Sequence, residues 1–375
     1  MTDPVHIENN RRARLHNRRG RGTVLRFCAA LSASLLVAGG CSGDDEPAGS
    51  DTSDDSGEVV RIVTYEAFAL PEEAAAAFTE ESGASVEVVA TGDANTMLSK
   101  ALLSAGAPEG DVIFGIDNIS AVEAANEDLL VPWRAEAADG LAEELAPPEV
   151  VADSLTPIDT SEVCVNVDRD WLSQNGLEPP QGFEDLADPT YRDLLSVQSP
   201  VTSTPGTAFL LGTVEEFGED GFTGYWKRLA ANGVRVSPSW DDAYYGDYTV
   251  NGGDRPLVVS YASSPPAEVV FSEGERIEPA STVLEETCVT QVEYAGVLEG
   301  AENPELAREL VEFMLGEQWQ SELPLANFVY PVTDVDLPDV FSRWAPRPVD
   351  PVAVDVEAVA QSRDAWLEQW RSTME

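Results

Sequence analysis

The sequence predicts an α/β protein with parallel strands, its folded body made of two lobes between which the chain passes more than once. Three observations carry that expectation. From Val59 onward, short β-branched apolar runs alternate with helical patterns, the order that builds parallel sheets with crossover helices. The alternation resumes as a second series after Pro157. Roughly 315 residues follow the acidic stretch ending near Glu58, a length suited to two domains or one large one.

The elements follow in order. VVRIVTYEAF (59–68) is a buried strand ending at Tyr65. PEEAAAAFTEESG is a helix with acids in its first turn and Gly83 as its stop. ASVEVVATGD and GDVIFGIDN are the next two strands, separated by the helix ANTMLSKALLSAG, and ISAVEAANEDLL reads as the helix after them. In parallel sheets ligands gather at the carboxyl ends of the strands, here Tyr65-Glu66, Gly92-Asp93 and Asp117-Asn118. Beyond Pro157, SEVCVNVDRDWL reads as strand then turn, and GFEDLADPTYRDLLSVQSP as helix, turn and strand. The helices TSTPGT onward and GFTGYWKRLAANG come next, then VRVSPSWDDAYYGDY and the strand PLVVSYA. CVTQVEYAGVLEG is a further strand, and NPELARELVEFMLG and SRDAWLEQWRSTME are helices. There is no internal repeat.

The first forty residues stand apart. Seven arginines crowd residues 11–26, and an apolar, small-residue run follows, ending in LLVAGGC. Those are the parts of a secretory signal peptide, covering 1–40. The run is too short to serve comfortably as a membrane span, which needs about 20 apolar residues. Cys41 after small residues matches a bacterial lipoprotein cleavage site, with Ala38 in place of the more usual Leu. Arg18-Arg19 raises twin-arginine export, although the apolar residues that should follow closely are absent. Residues 41–58 are acidic and lack aromatics, so they read as a tether unable to bury a core. Lipid on Cys41, a spacer and a globular body place the protein on the outer face of the cell membrane.

The chain carries a formal net charge of -46. With the seven arginines and two acids of the leader set aside, 15 basic residues face 66 acidic ones. Such a body is no partner for nucleic acid, whose phosphates demand the opposite sign. Both histidines, His6 and His16, lie in the leader, which excludes a Ser-His-Asp triad, a Cys-His nucleophile and any His-ligated metal from the body. Two body cysteines remain, Cys164 and Cys288. In an exported protein such a pair favours a disulfide over a redox centre, though spacing does not show that they meet. The stretch SPVTSTPGT (199–207) has hydroxyls before Pro205 and an apolar run after it, the mark of a helix start. Its free N–H groups suit an oxygen-rich or anionic ligand; on local pattern alone a capped helix with no ligand is the leading reading.

TYEAF, GDANTMLSKALL, DVIFGIDN, TSTPGTAFLL, SWDDAYYGDY, LVVSYASSP, NFVYPV and AWLEQW occur in this order. Over residues 59–373 the chain resembles the thiamine-binding proteins of ABC transporters. The resemblance implies the type II periplasmic binding fold, two lobes joined by crossover hinge strands. It divides the body into a first lobe (59–160), a second (161–287) and a return to the first with the C-terminal helices (288–375). It implies ligand contacts from Tyr65, Asp93, Ser203, Thr204, Trp240, Tyr261, Ala262, Ser263, Ser264, Pro265 and Phe328. Asp117 is open between ligand contact and helix cap. The chemistry agrees: thiamine has a cationic thiazolium, which aromatic faces attract by about 0.5–2 kcal/mol when desolvated, and a carboxylate such as Asp93 can offset the charge. In the type II arrangement the two crossing strands run side by side, so Cys164 and Cys288 are expected to pair across the hinge.

Two departures bear on selectivity. Phe328 stands where the family has Trp, losing an indole donor, and Ala267 follows SSPP where relatives can carry Tyr. The implied role is a monomeric receptor delivering thiamine, or thiamine phosphates, to an ABC permease, with no enzyme activity, metal or cofactor. Rival readings are a ferric-iron receptor using Tyr244, Tyr245 and Tyr248, a receptor for polyamines or another organic cation, and an enzyme with a cysteine nucleophile. The last lacks a histidine partner.

Overall fold

The computed structural model describes residues 57–125, 128–352 and 355–374. The leader, most of the tether and Cys41 lie outside the described residues. Nine strands form one curled sheet: β1 (Val59–Thr64), β2 (Ser85–Ala90), β3 (Val112–Asp117), β4 (Thr156–Asp168), β5 (Leu195–Gln198), β6 (Arg235–Ser237), β7 (Leu257–Tyr261), β8 (Ser281–Val297) and β9 (Tyr330–Pro331). Their order is β2-β1-β3-β8-β4-β7-β5-β6, with β9 also beside β4. The expected parallel pairing holds within each lobe, for β1 with β2 and β3, and for β5 with β6 and β7. The connecting strands depart from it: β8 runs antiparallel to β3 and β4, and β4 antiparallel to β7.

Those two strands make the fold bilobed. The first residues of β4, from Thr156, pair with the end of β8 at Ala295, while its last residue, Asp168, pairs with Ser281 at the start of β8. Each strand thus begins in one lobe and ends in the other. The β4 strand is buried throughout its 13 residues, as a strand covered on both faces must be. In the first lobe, one face of the sheet packs Val60, Ile62 and Phe114 against Leu310, Val311 and Met314 of the helix Pro304–Met314. The other face packs Val63, Ile113 and Ile116 against Met97, Leu98 and Ala101 of the helix Ala94–Leu103. The second lobe has its own core around Phe183, Phe209, Tyr225, Trp226 and Val259.

Three elements differ from the sequence reading. Residues 119–130 do not form the expected helix; among the described residues there is only a 3-10 turn, Glu123–Ala125. The Asp117 carboxylate accepts from the backbone N–H groups of Ile119 and Ser120, which holds the chain in a turn, and Leu130 then bridges to Leu298. β8 begins seven residues before Cys288, at Ser281. The C-terminal helix Val356–Met374, expected with the first lobe, packs Trp366, Leu367 and Trp370 into the core of the second. Trp370 meets Trp226 edge to face, with ring centres 5.7 Å apart.

The ladder between β4 and β8 is interrupted once near the hinge. Val163 opposes Val289 and Val165 opposes Leu284, so Glu285 to Cys288 stand against Cys164 alone. Thr287 repairs the gap: its hydroxyl accepts from Val165 N at 2.9 Å and donates to Leu284 O at 2.7 Å. Cys164 and Cys288 are joined by a disulfide, Cα to Cα 4.2 Å, beneath Ala262 and Val283. It spans a sequence separation of 124 residues, and chain entropy for a loop of that length gives roughly 4–5 kcal/mol before native strain is subtracted. Cys164→Ser with Cys288→Ser should therefore lower stability by about 2–5 kcal/mol in denaturant titration. Unchanged stability, or two alkylatable thiols in the exported protein, would remove that role.

Candidate binding site

Strand ends from both lobes converge on the cleft that β4 and β8 floor. Tyr65 sits just past β1, and its ring lies over β3 at Gly115, where φ is +99°. A Cβ at Gly115 would run into the Tyr65 ring, so this glycine is required both by its left-handed backbone and by the close approach. The Tyr65 hydroxyl donates to Glu293 Oε2 at 3.1 Å. Burial, and then the negative charge of Glu293 and Asp159, hold the Tyr65 hydroxyl well above its ordinary pKa. Tyr261 closes β7 on the opposite side; burial and the charges of Glu293, Asp93, Asp117 and Asp159 do the same to it. The mutual influence of these groups locates four carboxylates and two phenols in one place.

Trp240 is fixed on three sides. Its indole N–H donates to Ser260 Oγ at 3.0 Å, and Ser260 and Ser264 share a hydrogen bond of 2.8 Å. Tyr244 stacks on the indole at 4.7 Å and 12°, and the Trp240 backbone N–H donates to Asp93 Oδ2 at 2.8 Å. Asp93 also accepts from Ala94 N at 2.6 Å, capping the helix Ala94–Leu103. Burial pushes its pKa up to about 6, against the lowering effect of the Trp240 and Ala94 N–H groups. Asp93 is thus a cap and a fastener between lobes, with both oxygens engaged by backbone. Beside it Asn95 Nδ2 reaches Thr207 Oγ1 at 3.0 Å, so the starts of two helices, Ala94–Leu103 and Thr204–Phe217, meet across the cleft.

The TSTPG segment does begin a helix, with Ser203 as its N-cap residue. Gly206 packs so tightly on the end of β5 that a Cβ would meet Gln198 O at 2.6 Å. Ser203 does not cap with its side chain; its buried hydroxyl makes no bond of good geometry and lies close enough to the Asp93 carboxylate to ease its ionisation. Thr204 is buried alongside. Ser263 leaves a second buried hydroxyl unpartnered; Ala262 packs against the disulfide, and Pro265 starts the short helix Pro265–Val270. Phe328 has φ +55°, a strained conformation for a bulky residue. Asn327 anchors it through Ala69 N and O, both at 2.9 Å, and its ring meets Phe271 of the other lobe edge to face at 5.5 Å.

Sequence reasoning missed Asp159 and Glu293. Both are acids inside otherwise apolar strand segments, TPID and QVEY, and that interruption is the signal that could have found them. Asp117 is buried, with Oδ1 in the turn described above and Oδ2 without a partner. The three tyrosines weighed for iron pack ring against ring, Tyr244 at 5.3 Å from Tyr245 and 5.8 Å from Tyr248, with Tyr248 sharing a 2.6 Å hydrogen bond with Ser281, Tyr244 stacked on Trp240, and Tyr245 exposed. Among the described residues no group of three or more His, Cys, Asp or Glu is placed to hold a metal ion, and no helix is long and apolar enough to cross a membrane.

The profile of the family described as "Bacterial extracellular solute-binding protein" matches residues 111–349. The chain is 30% identical over 319 residues to a thiamine-binding periplasmic protein of Salmonella typhimurium, covering 84% of this chain and 92% of that one. Among solved structures it is similar to a periplasmic thiamin binding protein, with a TM-score of 0.73, 24% identity and coverage of 88% of this chain and 99% of the other. It also superposes on an apo ferric ion-binding protein A of Pasteurella haemolytica, with a TM-score of 0.67, 16% identity and 84% and 98% coverage. These likenesses establish the two-lobed type II fold.

Two outcomes follow from the geometry. Gly115→Ala should displace the Tyr65 ring and cost about 1–3 kcal/mol, the range for strained backbone; a variant with wild-type stability and an unmoved Tyr65 signal would refute the packing argument. The cleft acids also set a pH dependence. Asp93 is raised to about 6 and Glu293 to about 7, so between their unfolded values and these the native state binds more protons. Stability of the ligand-free protein should then rise as pH falls from 8 to 6. Each kcal/mol corresponds to roughly 2–4 °C in Tm, readable by calorimetry, and a Tm that falls over that interval would contradict the assignment.

Proposed function

Because the chain belongs to the bacterial extracellular solute-binding proteins, we propose that it captures thiamine, or a thiamine phosphate, between its lobes and delivers it to an ABC importer. The carrying observation is the cleft itself: four buried carboxylates, Asp93, Asp117, Asp159 and Glu293, gathered around Tyr65 and Tyr261. A permanently cationic thiazolium supplies the charge that such a site lacks. The flat walls at Trp240, Tyr65 and Tyr261 suit the two aromatic rings of the vitamin, and favour it over a flexible polyamine. The buried Ser203 hydroxyl at the helix start, beside Asp93, suits the hydroxyethyl or phosphate end. Iron is the weaker reading, since the Tyr248 hydroxyl is engaged with Ser281 and the Tyr244 ring is stacked on Trp240.

In this reading the lobes are residues 59–160 with the return from 288, and 161–287, apart from the C-terminal helix. The protein acts as a monomer without enzyme activity. Lipid on Cys41 and the acidic tether 41–58 would hold it at the outer face of the membrane, within reach of a permease.

Calorimetry with thiamine, its mono- and diphosphates and spermidine tests the proposal; saturable binding of spermidine alone would replace it. Thiamine should also quench tryptophan fluorescence. Trp240→Ala should weaken binding by about 1–3 kcal/mol, the range for a buried aromatic contact. A dissociation constant unchanged by that substitution would take Trp240 out of the site.

A further inference from the structure

Three of the cleft carboxylates lie in one row across the sheet. Asp117 in β3 is the register partner of Glu293 in β8, and Glu293 is the partner of Asp159 in β4. Opposite residues of antiparallel strands project to the same face with Cβ atoms about 4.5–5.5 Å apart, and like charges there repel. The row is buried: Asp117, Glu293 and Asp159 are 0%, 4% and 1% exposed. Asp117 Oδ2 has no hydrogen-bond partner, and Asp159 Oδ1 has none with a hydrogen to give, its carboxyl lying within bonding reach of Glu293. Beside them Gln291, 1% exposed, turns Nε2 toward Glu293 Oε1 at 3.5 Å and leaves its own Oε1 without a donor. The Asp159 and Glu293 carboxyls can therefore satisfy each other only through a proton held between them.

The groups facing this row offer no cation to its centre. From the end of β1 comes the Tyr65 hydroxyl, from β7 the Tyr261 hydroxyl, and from the start of the helix Ala94–Leu103 the Asp93 carboxylate. The C-terminal helix presents Arg363, which eases Asp117 from one end but is ion-paired with Glu123. Arg347 is engaged with Glu162 at 3.3 Å and Thr160 at 2.9 Å. Two ionised carboxylates opposite each other, desolvated and without a counter-charge, are strongly unfavourable.

We propose that Asp159 and Glu293 share one proton in the empty cleft, and that the cationic ring of the ligand displaces that proton to solvent on binding. The carboxyl O–H bond breaks, the proton passes to water at the cleft mouth, and the cation takes its place as the charge that balances the pair; no bond to the ligand is made. Burial and the neighbouring Glu293 hold Asp159 well above the carboxylate range, and burial with the charge of Asp117 raises Glu293 to about 7. The proton belongs to the pair, which titrates as one unit. Capture is then a proton–cation exchange, and affinity falls toward tenfold per pH unit below the titration of the pair.

The inference rests on the thiamine reading, and the test separates the two. Infrared spectra of the ligand-free protein at neutral pH should show a protonated-carboxyl band that Asp159→Asn and Glu293→Gln each remove. Saturating thiamine should bleach it. Calorimetry in buffers of different ionisation enthalpy should return close to one proton released per thiamine bound. No such band in the ligand-free protein, a band that survives saturation, or thiamine binding without proton release would each overturn the exchange while leaving the receptor role intact. A band present with no thiamine binding would overturn the thiamine reading, and the exchange with it.

Discussion

The antiparallel pairing of β4 with β8 is the constraint on which the rest of the molecule depends. A ladder 13 residues long on one strand and 17 on the other runs through both lobes, so whatever is opposite in register stays opposite however the lobes are posed. Asp159 faces Glu293 by backbone register, and no rotamer change takes them far apart. The same register sets Cys164 against the four-residue bulge that ends at Cys288. Hinge, acidic row and disulfide are three consequences of one pairing.

That pairing fixes the electrostatics as well. Burying like charges without a cation costs stability, and the cleft acids are raised accordingly. Under the proposed function, a site of this kind is a functional compromise, its strain relieved by a cationic ligand. Asp93 shows the contrast. Its two oxygens are satisfied by Ala94 and Trp240 N–H groups from opposite lobes, so the contact between lobes offsets part of the cost of its burial. Asp117 is intermediate, with one oxygen in a turn and one unpartnered. Charge for the ligand and closure of the lobes are thereby divided among different carboxylates.

Much of this was legible in the residues. The strand ends at Tyr65, Asp93 and Asp117 follow from periodicity of two giving way to turn residues, and all three meet in the cleft. Gly83 at +79° ends the first helix as its position suggested. Asp159 and Glu293 were hidden because a buried acid in a strand becomes meaningful only when its cross-strand partner is known, and register between strands so far apart in sequence has no local signature. At 119–130 the Asp117 side chain caps the N–H groups of Ile119 and Ser120 as a helix start would have it, yet among the described residues only the turn Glu123–Ala125 follows. The place of the C-terminal helix was likewise beyond local pattern, since its apolar stripe fits either lobe and the choice is made by contact with Trp226.

That last helix changes how the hinge works. To reach the second lobe the chain must cross a third time, and it does so beside the other two passages: Val163 pairs with Val289, and Val289 with Val352. Val352 N donates to Cys288 O at 2.8 Å, and Thr290 N to Val352 O at 3.0 Å. Just before this crossing, Arg347 lies over the Tyr330 ring at 4.0 Å and bonds Thr160 and Glu162, where β4 leaves the first lobe. Three adjacent passages bonded edge to edge resist sliding of one lobe over the other and leave rotation about their common line as the soft motion. The Asp159–Glu293 pair lies on the same two strands, four residues along from the Val163–Val289 pair, so its register is held by the ladder that joins the lobes.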